Sequence, residues 1–230
     1  MTAPREPFDG AGSRRESGRD ATHWTPSAAP ARIVVLASGT GSLLQALLER
    51  AEAADYPAEI VAVGADRDCK ALDHAAARGV ATFRVSVRDF ADRATWDDAL
   101  TERVTAHDPD LVVTAGFMKL LGPRFLERFA GRVINTHPAL LPAFPGAHAV
   151  PDALAYGVRL TGCTVHLVDA GIDTGPVLAQ EAVTVLPDDD ESSLHERIKV
   201  VERRLLADVV ADVARNGVVS DGRKARIPSD

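Results

Sequence analysis

The sequence predicts an α/β fold with a mostly parallel central sheet flanked by helices. Short runs of β-branched and apolar residues recur along the chain, and most are followed by a segment of helical pattern. A glycine loop separates the first such run from the first helix. Strand and helix in regular alternation imply right-handed crossovers and parallel pairing. The continuous apolar character of the strands fits burial on both faces.

Residues 1–30 are rich in Pro, Gly, Ser, Arg and Ala and nearly free of large apolar side chains. Such a stretch cannot offset its ordering entropy by burial, so a disordered tail is expected there. A single domain is expected over residues 31–217. It opens with the strand Ala31-Arg32-Ile33-Val34-Val35-Leu36-Ala37, followed by a helix over about residues 41–53. Residues 59–65 read as a second strand, 69–78 as a helix closed by Gly79, and 80–85 as a short third strand. A helical pattern over 90–106 stops at His107-Asp108-Pro109. Residues 110–115 are strand-like, and Pro123 starts a short helix to Phe129. The apolar run Arg132-Val133-Ile134 leads into a proline-rich loop. The layout is Rossmann-like up to this point. Beyond residue 157 two strand-like runs, 160–168 and 177–186, replace the alternation and predict antiparallel strands in the C-terminal part. A closing helix from about Glu191, capped by Asp190 or a neighbour, ends at Asn216-Gly217. Residues 218–230 are expected to form a flexible tail. The Asp188-Asp189-Asp190-Glu191 run reads as a solvated helix entrance favoured by the dipole.

Composition narrows the function. The 230 residues are 46% hydrophobic and 26% charged, ordinary for a globular protein. A net charge of -7 argues against a nucleic-acid partner held by bulk electrostatics, and 5% aromatic content argues against a base-stacking surface. Cys69 and Cys163 make neither a disulfide framework nor a zinc spacing, which suits a reducing cytoplasm. No apolar run is long enough to span a bilayer, and the N-terminus has no secretory core.

Three segments carry candidate chemistry. Ser38-Gly39-Thr40-Gly41-Ser42 lies between strand and helix, where bare backbone amides and the positive end of the helix dipole make an anion site. Leu44 stands where a dinucleotide fingerprint has Gly or Ala, so a phosphate monoester fits better, although Asp66 at the end of the second strand keeps a dinucleotide reading open. Asn135 and His137, two residues apart at a strand end, share a face, and His148 follows on the same proline-stiffened loop. An amide beside an imidazole can stabilise an oxyanion and manage a proton; equally, such a loop can satisfy only its own backbone. The third segment is the loop 169–175, where Asp173 lies among glycines before Pro176 and, taken alone, reads as a turn-former. His166 on its strand reads equally as a brace for the site or as core.

Six motifs occur in order: Ser38-Gly39-Thr40-Gly41-Ser42, Ala115-Gly116-Phe117-Met118, Asn135-Thr136-His137-Pro138-Ala139-Leu140-Leu141-Pro142, Phe144-Pro145-Gly146-Ala147-His148, Thr164-Val165-His166 and Asp173-Thr174-Gly175-Pro176. Together, over roughly residues 32–213, the chain resembles the folate-dependent phosphoribosylglycinamide formyltransferases of purine biosynthesis. The resemblance implies that Asn135, His137 and Asp173 are a catalytic trio. It implies that Gly39, Thr40, Gly41, Ser42 and Leu43 hold the phosphate of the ribonucleotide, with Arg93 reaching the same phosphate. Lys199 and Glu202 fall at the substrate's ribose and glycinamide ends. Met118, Lys119, Leu120 and Leu121, with Val168, Asp169, Ala170, Gly171, Ile172 and Asp173, fall on the folate cleft. Leu43 departs from the family, many of whose members carry Asn there; a side-chain contact is lost while the backbone donor remains.

The implied reaction moves a formyl group from 10-formyltetrahydrofolate, a cosubstrate, to the amine of 5'-phosphoribosylglycinamide. It needs no metal, no nucleic acid and no membrane, and belongs in the cytoplasm in a monomer or homodimer. A formyltetrahydrofolate deformylase is the alternative within the superfamily, but is expected to carry a regulatory domain that thirty tail residues cannot form. A methionyl-tRNA formyltransferase would need a further C-terminal domain and a basic surface. A metallohydrolase using His137, His148, His166 and Asp173, or a nucleotide-binding module built on the glycine loop and Asp66, would represent other classes. Their spacings carry no metal signature.

Overall fold

The structure, a computed structural model, describes residues 22–229. The strands are β1 (Thr22–Trp24), β2 (Ala31–Ala37), β3 (Ala58–Ala65), β4 (Ala81–Arg84), β5 (Leu111–Thr114), β6 (Val133–His137), β7 (Leu160–Leu167), β8 (Val177–Thr184), β9 (Val218–Ser220) and β10 (Ala225–Arg226). The helices are α1 (Ser42–Ala51), α2 (Lys70–Ala76), α3 (Arg93–Thr105), α4 (Pro123–Arg128), α5 (Ala149–Tyr156) and α6 (Glu191–Asn216). The central sheet has seven strands in the order β4-β3-β2-β5-β6-β7-β8. β4 through β6 pair in parallel, while β7 runs antiparallel to both β6 and β8.

Period-two alternation divides the core between the two faces of this sheet. On β2, Ile33, Val35 and Ala37 join one cluster with Leu44 and Leu47 of α1 and Leu206, Val210 and Val213 of α6. Val34 and Leu36 point the other way, onto Trp96 and Leu100 of α3 and onto Phe125 and Phe129. Fully burying one such side chain contributes about 1.5–3 kcal/mol, so the continuous apolar strands dictate a sheet covered on both sides.

The chain winds from β2 outward to β4, then returns to place β5 on the opposite side of β2. The crossovers diverge at that point, so the loops after β2 and β5 leave a crevice at the strands' C-terminal ends. Every candidate segment read from the sequence lies around this crevice or on the two antiparallel strands beside it.

The expected tails are corrected in part. Residues 1–21 lie outside the described residues. Thr22–Trp24, however, is a strand, paired with Val218–Ser220, which pairs in turn with Ala225–Arg226. Trp24, Ala225 and Ile227 pack against the first core cluster. Ser27 donates from N and Oγ to Asp110 Oδ1 at 2.9 and 2.5 Å, which ties the segment down before β2 begins. A further departure is the helix α5, for which the sequence offered no strong period. The 90–106 pattern is a short 3-10 turn, Val87–Asp89, followed by α3, with Asp92 making a capping box with Thr95. Asp190 caps α6 as expected, but the adjacent Asp189 is buried against Arg197 at 2.5 and 2.6 Å rather than solvated.

One buried carboxylate fixes the segment that follows β5. Asp97 of α3 accepts from the backbone N–H of Gly122 and of Arg124, each at 2.9 Å, and of Phe125 at 3.4 Å. These are donors that the start of α4 cannot satisfy internally. Gly122 is required there, because a Cβ would lie 2.2 Å from the Asp97 carboxyl carbon. Asp97→Ala leaves these donors without their acceptor and is expected to cost about 2–4 kcal/mol in urea denaturation; an unchanged midpoint and slope would refute this account of how α4 is anchored.

Candidate active site

The glycine loop leaves β2 and turns into α1. Gly41 adopts φ +75°, and a Cβ on it would lie 2.8 Å from Ala71 Cα, so only glycine fits the turn where it touches α2. The first intrahelical bond runs from Gln45 N to Gly41 O at 2.8 Å. The N–H groups of Ser42, Leu43 and Leu44 precede it and point out of the helix end, the geometry that receives an anion. Leu43 is half-buried against the first core cluster, so its side chain contributes packing and only its N–H faces the loop.

A cleft lies between the segment after β5 and the loop after β7. It is lined by Thr114, Phe117, Lys119, Leu120 and Leu121 on one side, by Asn135 and His166 at its base, and by residues 168–173 on the other side. Of the expected folate residues, Lys119, Leu120 and Leu121 and all of Val168, Asp169, Ala170, Gly171, Ile172 and Asp173 share this one cleft. Met118 is not among its walls and is 60% exposed; its N–H donates to Ser38 Oγ at 2.8 Å. Asp169 Oδ1 accepts from Gly171 N at 3.0 Å and Thr174 Oγ1 at 2.7 Å, which curls the far wall into a tight loop.

The strand ends place the polar groups. Asn135 and His137 lie on one face of β6, and the antiparallel register sets them opposite His166 and Thr164 of β7. Asp173 arrives from the following loop with φ +53°, a left-handed conformation that costs a non-glycine residue about 1–3 kcal/mol and persists only where the surroundings hold it. They do hold it. Asp173 Oδ2 accepts from Gly146 N at 2.8 Å and lies 3.3 Å from His137 Nδ1, and Oδ1 lies 3.7 Å from His166 Nε2. His137 is buried, and its Nε2 lies 2.8 Å from the Phe144 carbonyl oxygen. Both ring nitrogens of His137 thus face acceptors, an arrangement satisfied by the doubly protonated ring. The proline loop is itself pinned: Thr164 Oγ1 donates to Ala139 O at 2.6 Å and accepts from Leu141 N at 3.0 Å and from Gln180 Nε2 at 2.9 Å.

The sequence-derived residues do not all converge. His148 is exposed at the start of α5, away from the Asp173 cluster. The Arg93 guanidinium donates to the Leu120 carbonyl and lies 4.2 Å over the Trp96 ring, so it braces the cleft wall. Its helix starts after β4 and faces the segment after β5, and the stacking on Trp96 one turn later fixes its direction. Lys199 pairs with Glu196 at 2.8 Å on the same helix. Glu202 is buried and accepts from Thr136 Oγ1 at 2.9 Å, on the face of β6 opposite Asn135 and His137; burial pushes its carboxyl above the usual range. Asp66 is buried beneath Arg67 and Lys119, at 3.0 and 3.2 Å, with its charge already neutralised. Thr114 and Phe117 were missed. Both flank the Ala115-Gly116 turn at the switch point, which was the signal available. Among the described residues no group of three or more His, Cys, Asp or Glu is arranged to hold a metal ion, and no helix is long and apolar enough to cross a membrane.

The sequence pattern of one family, described as formyl transferase, matches residues 31–210. The chain belongs to the formyl transferase family. Among members, the phosphoribosylglycinamide formyltransferase of Mycobacterium tuberculosis is 63% identical over 200 residues, covering 87% of this chain and 93% of that protein. That of Bacillus subtilis is 33% identical, covering 84% and 99%. The solved glycinamide ribonucleotide transformylase 1 from Symbiobacterium toebii superposes with a TM-score of 0.84 at 40% identity, covering 86% of this chain and 94% of that one.

In this formyl transferase, the Gly146 N–H and the charge of His137 hold the Asp173 carboxyl below the usual carboxylate range, against the opposing effect of burial. The folded-state value is depressed relative to about 3.9 in the unfolded chain. The stability it contributes is therefore present above that value and is lost as pH falls through the lower folded one. Urea midpoints of Asp173→Asn are expected to vary less than those of the parent over about pH 5 to 2. Parallel curves for the two proteins would show that Asp173 is not held as described.

Proposed function

We propose that this formyl transferase moves a formyl group from 10-formyltetrahydrofolate to the primary amine of 5'-phosphoribosylglycinamide, the acceptor that its relatives' names give for them. The observation that carries the reading is the convergence of Asn135, His166 and Asp173 at the base of a partly apolar cleft that opens beside the α1 anion loop. The ribonucleotide phosphate sits on the N–H groups of Ser42, Leu43 and Leu44, and the folate occupies the cleft between Leu120, Leu121 and residues 168–173.

The amine attacks the formyl carbon, forming a C–N bond and placing negative charge on the formyl oxygen. The Asn135 amide donates to that oxygen; one such donor is typically worth about 10²- to 10³-fold in rate. His137 stabilises the same charge from beside Asp173, and donates directly once its Nε2–H leaves the Phe144 carbonyl. Asp173 stays ionised, and a water held by its Oδ1, the oxygen without a short contact to protein, takes up the amine proton and relays it. A carboxylate held at low pKa is a weak base, which favours such relay over full protonation. Collapse breaks the bond from carbon to the folate nitrogen, and the relayed proton goes to that nitrogen. No covalent enzyme intermediate is needed. The setting is that of a cytoplasmic enzyme acting on small molecules.

A spectroscopic formyl-transfer assay, run with both substrates and with each left out, tests the reading. Transfer should require both; formate released without the ribonucleotide would instead mark a deformylase. Asp173→Asn and His137→Ala are expected to lower kcat by at least about 10²-fold while the ribonucleotide still binds. Near-parental turnover in either purified variant would remove that residue from the mechanism.

A further inference from the structure

We infer that the Thr114 hydroxyl is a positioning group that, together with His166, holds the Asn135 carboxamide with its NH2 end toward the cleft. The inference rests on the formyl-transfer reading and concerns a residue to which no role has yet been given. Thr114 closes β5 and is buried, and β5 pairs with β6 so that Thr114 is the register partner of Asn135. Thr114 Oγ1 lies 2.6 Å from Asn135 Oδ1 and 3.2 Å from Ile134 O. A hydroxyl has one hydrogen to give. The shorter contact has the length of an O–H···O bond, so the hydrogen goes to the amide oxygen.

The other end of the amide is set from β7. His166 Nδ1 lies 2.9 Å from Leu167 O, which can only accept, so Nδ1 carries the hydrogen. In the neutral ring Nε2 then bears a lone pair, and it lies 3.1 Å from Asn135 Nδ2. Asp173 Oδ1, at 3.7 Å, is too far from Nε2 to compete as a hydrogen-bond partner. One Nδ2 hydrogen is therefore spent on His166, the amide oxygen on Thr114, and the second Nδ2 hydrogen projects into the cleft that all three residues line. The reversed amide would set its oxygen against the His166 lone pair and leave the Thr114 hydrogen only the longer contact with Ile134 O. Only the first orientation presents a donor to a developing oxyanion. Removing the hydroxyl leaves the amide oxygen without a donor and releases rotation about the terminal torsion, whose two-fold well is broad.

The test uses Thr114→Val, nearly isosteric and β-branched, in the full chain. Loss of one positioning hydrogen bond corresponds to about a threefold to tenfold fall in kcat, with KM for both substrates within about twofold of the parent. Thr114→Ser, which restores the donor, should recover at least half of the parental kcat. In an Asn135→Ala background Thr114→Val should have no further effect on kcat, because there is no amide left to orient. A parental kcat in Thr114→Val, or the same proportional loss with and without Asn135, overturns the inference. Should Thr114→Val fail to fold, Thr114→Ser decides alone: a tenfold loss there overturns it and near-parental turnover supports it. Failure of the functional reading itself is separable, since the parent protein would then show no ribonucleotide-dependent formyl transfer.

Discussion

The Asp173 carboxylate is held by groups from two separate segments, and the rest of the site takes its shape from that fact. The Gly146 N–H reaches it from the proline loop and the His137 ring from the end of β6, with the His166 ring of β7 beside it at 3.7 Å. Without these partners a backbone at φ +53° would relax, because a non-glycine residue gains nothing from the left-handed region on its own. With them, one anionic group sets the direction of the His137 imidazole and joins the proline loop to the cleft wall.

The change from parallel to antiparallel pairing at β6 makes this possible. β7 and β8 form an antiparallel pair whose connecting loop brings residues 168–173 to the cleft beside Asn135. The register is strict: a slip of one residue would turn His166 and Thr164 to the α6 face and send Cys163 and Val165 toward the cleft. Burial of Val165 and Cys163 against the helices is what forbids the slip.

Much of this was legible in the sequence. The strands announced themselves as β-branched runs because the sheet is covered on both faces, and the capping residues Asp92 and Asp190 obey local rules. Asn135, His137 and Asp173 were marked out together by the resemblance, since alone Asp173 reads as a turn-former and the Asn135–His137 loop reads equally as satisfying its own backbone. What was not legible depends on distant pairing. Thr22–Trp24 and Val218–Ser220 each look like tail until they meet from opposite ends of the chain. Arg93 carries no local sign that Trp96 and the Leu120 carbonyl will claim it. Thr114 ends an apolar run as an ordinary strand former, and only the parallel register beside β6 gives its hydroxyl something to orient.

Ser38 has a bearing on how substitutions are interpreted. Its N–H donates to Gly116 O at 3.2 Å and its Oγ accepts from Met118 N at 2.8 Å, so the last rung of the anion loop is also the first rung of the cleft wall. Lys119 extends the join by reaching back to Asp66 at the end of β3. The two ligand halves are thus hinged on common backbone, and a lesion at Ser38 has no single address: altered affinity for either molecule would be an effect on both.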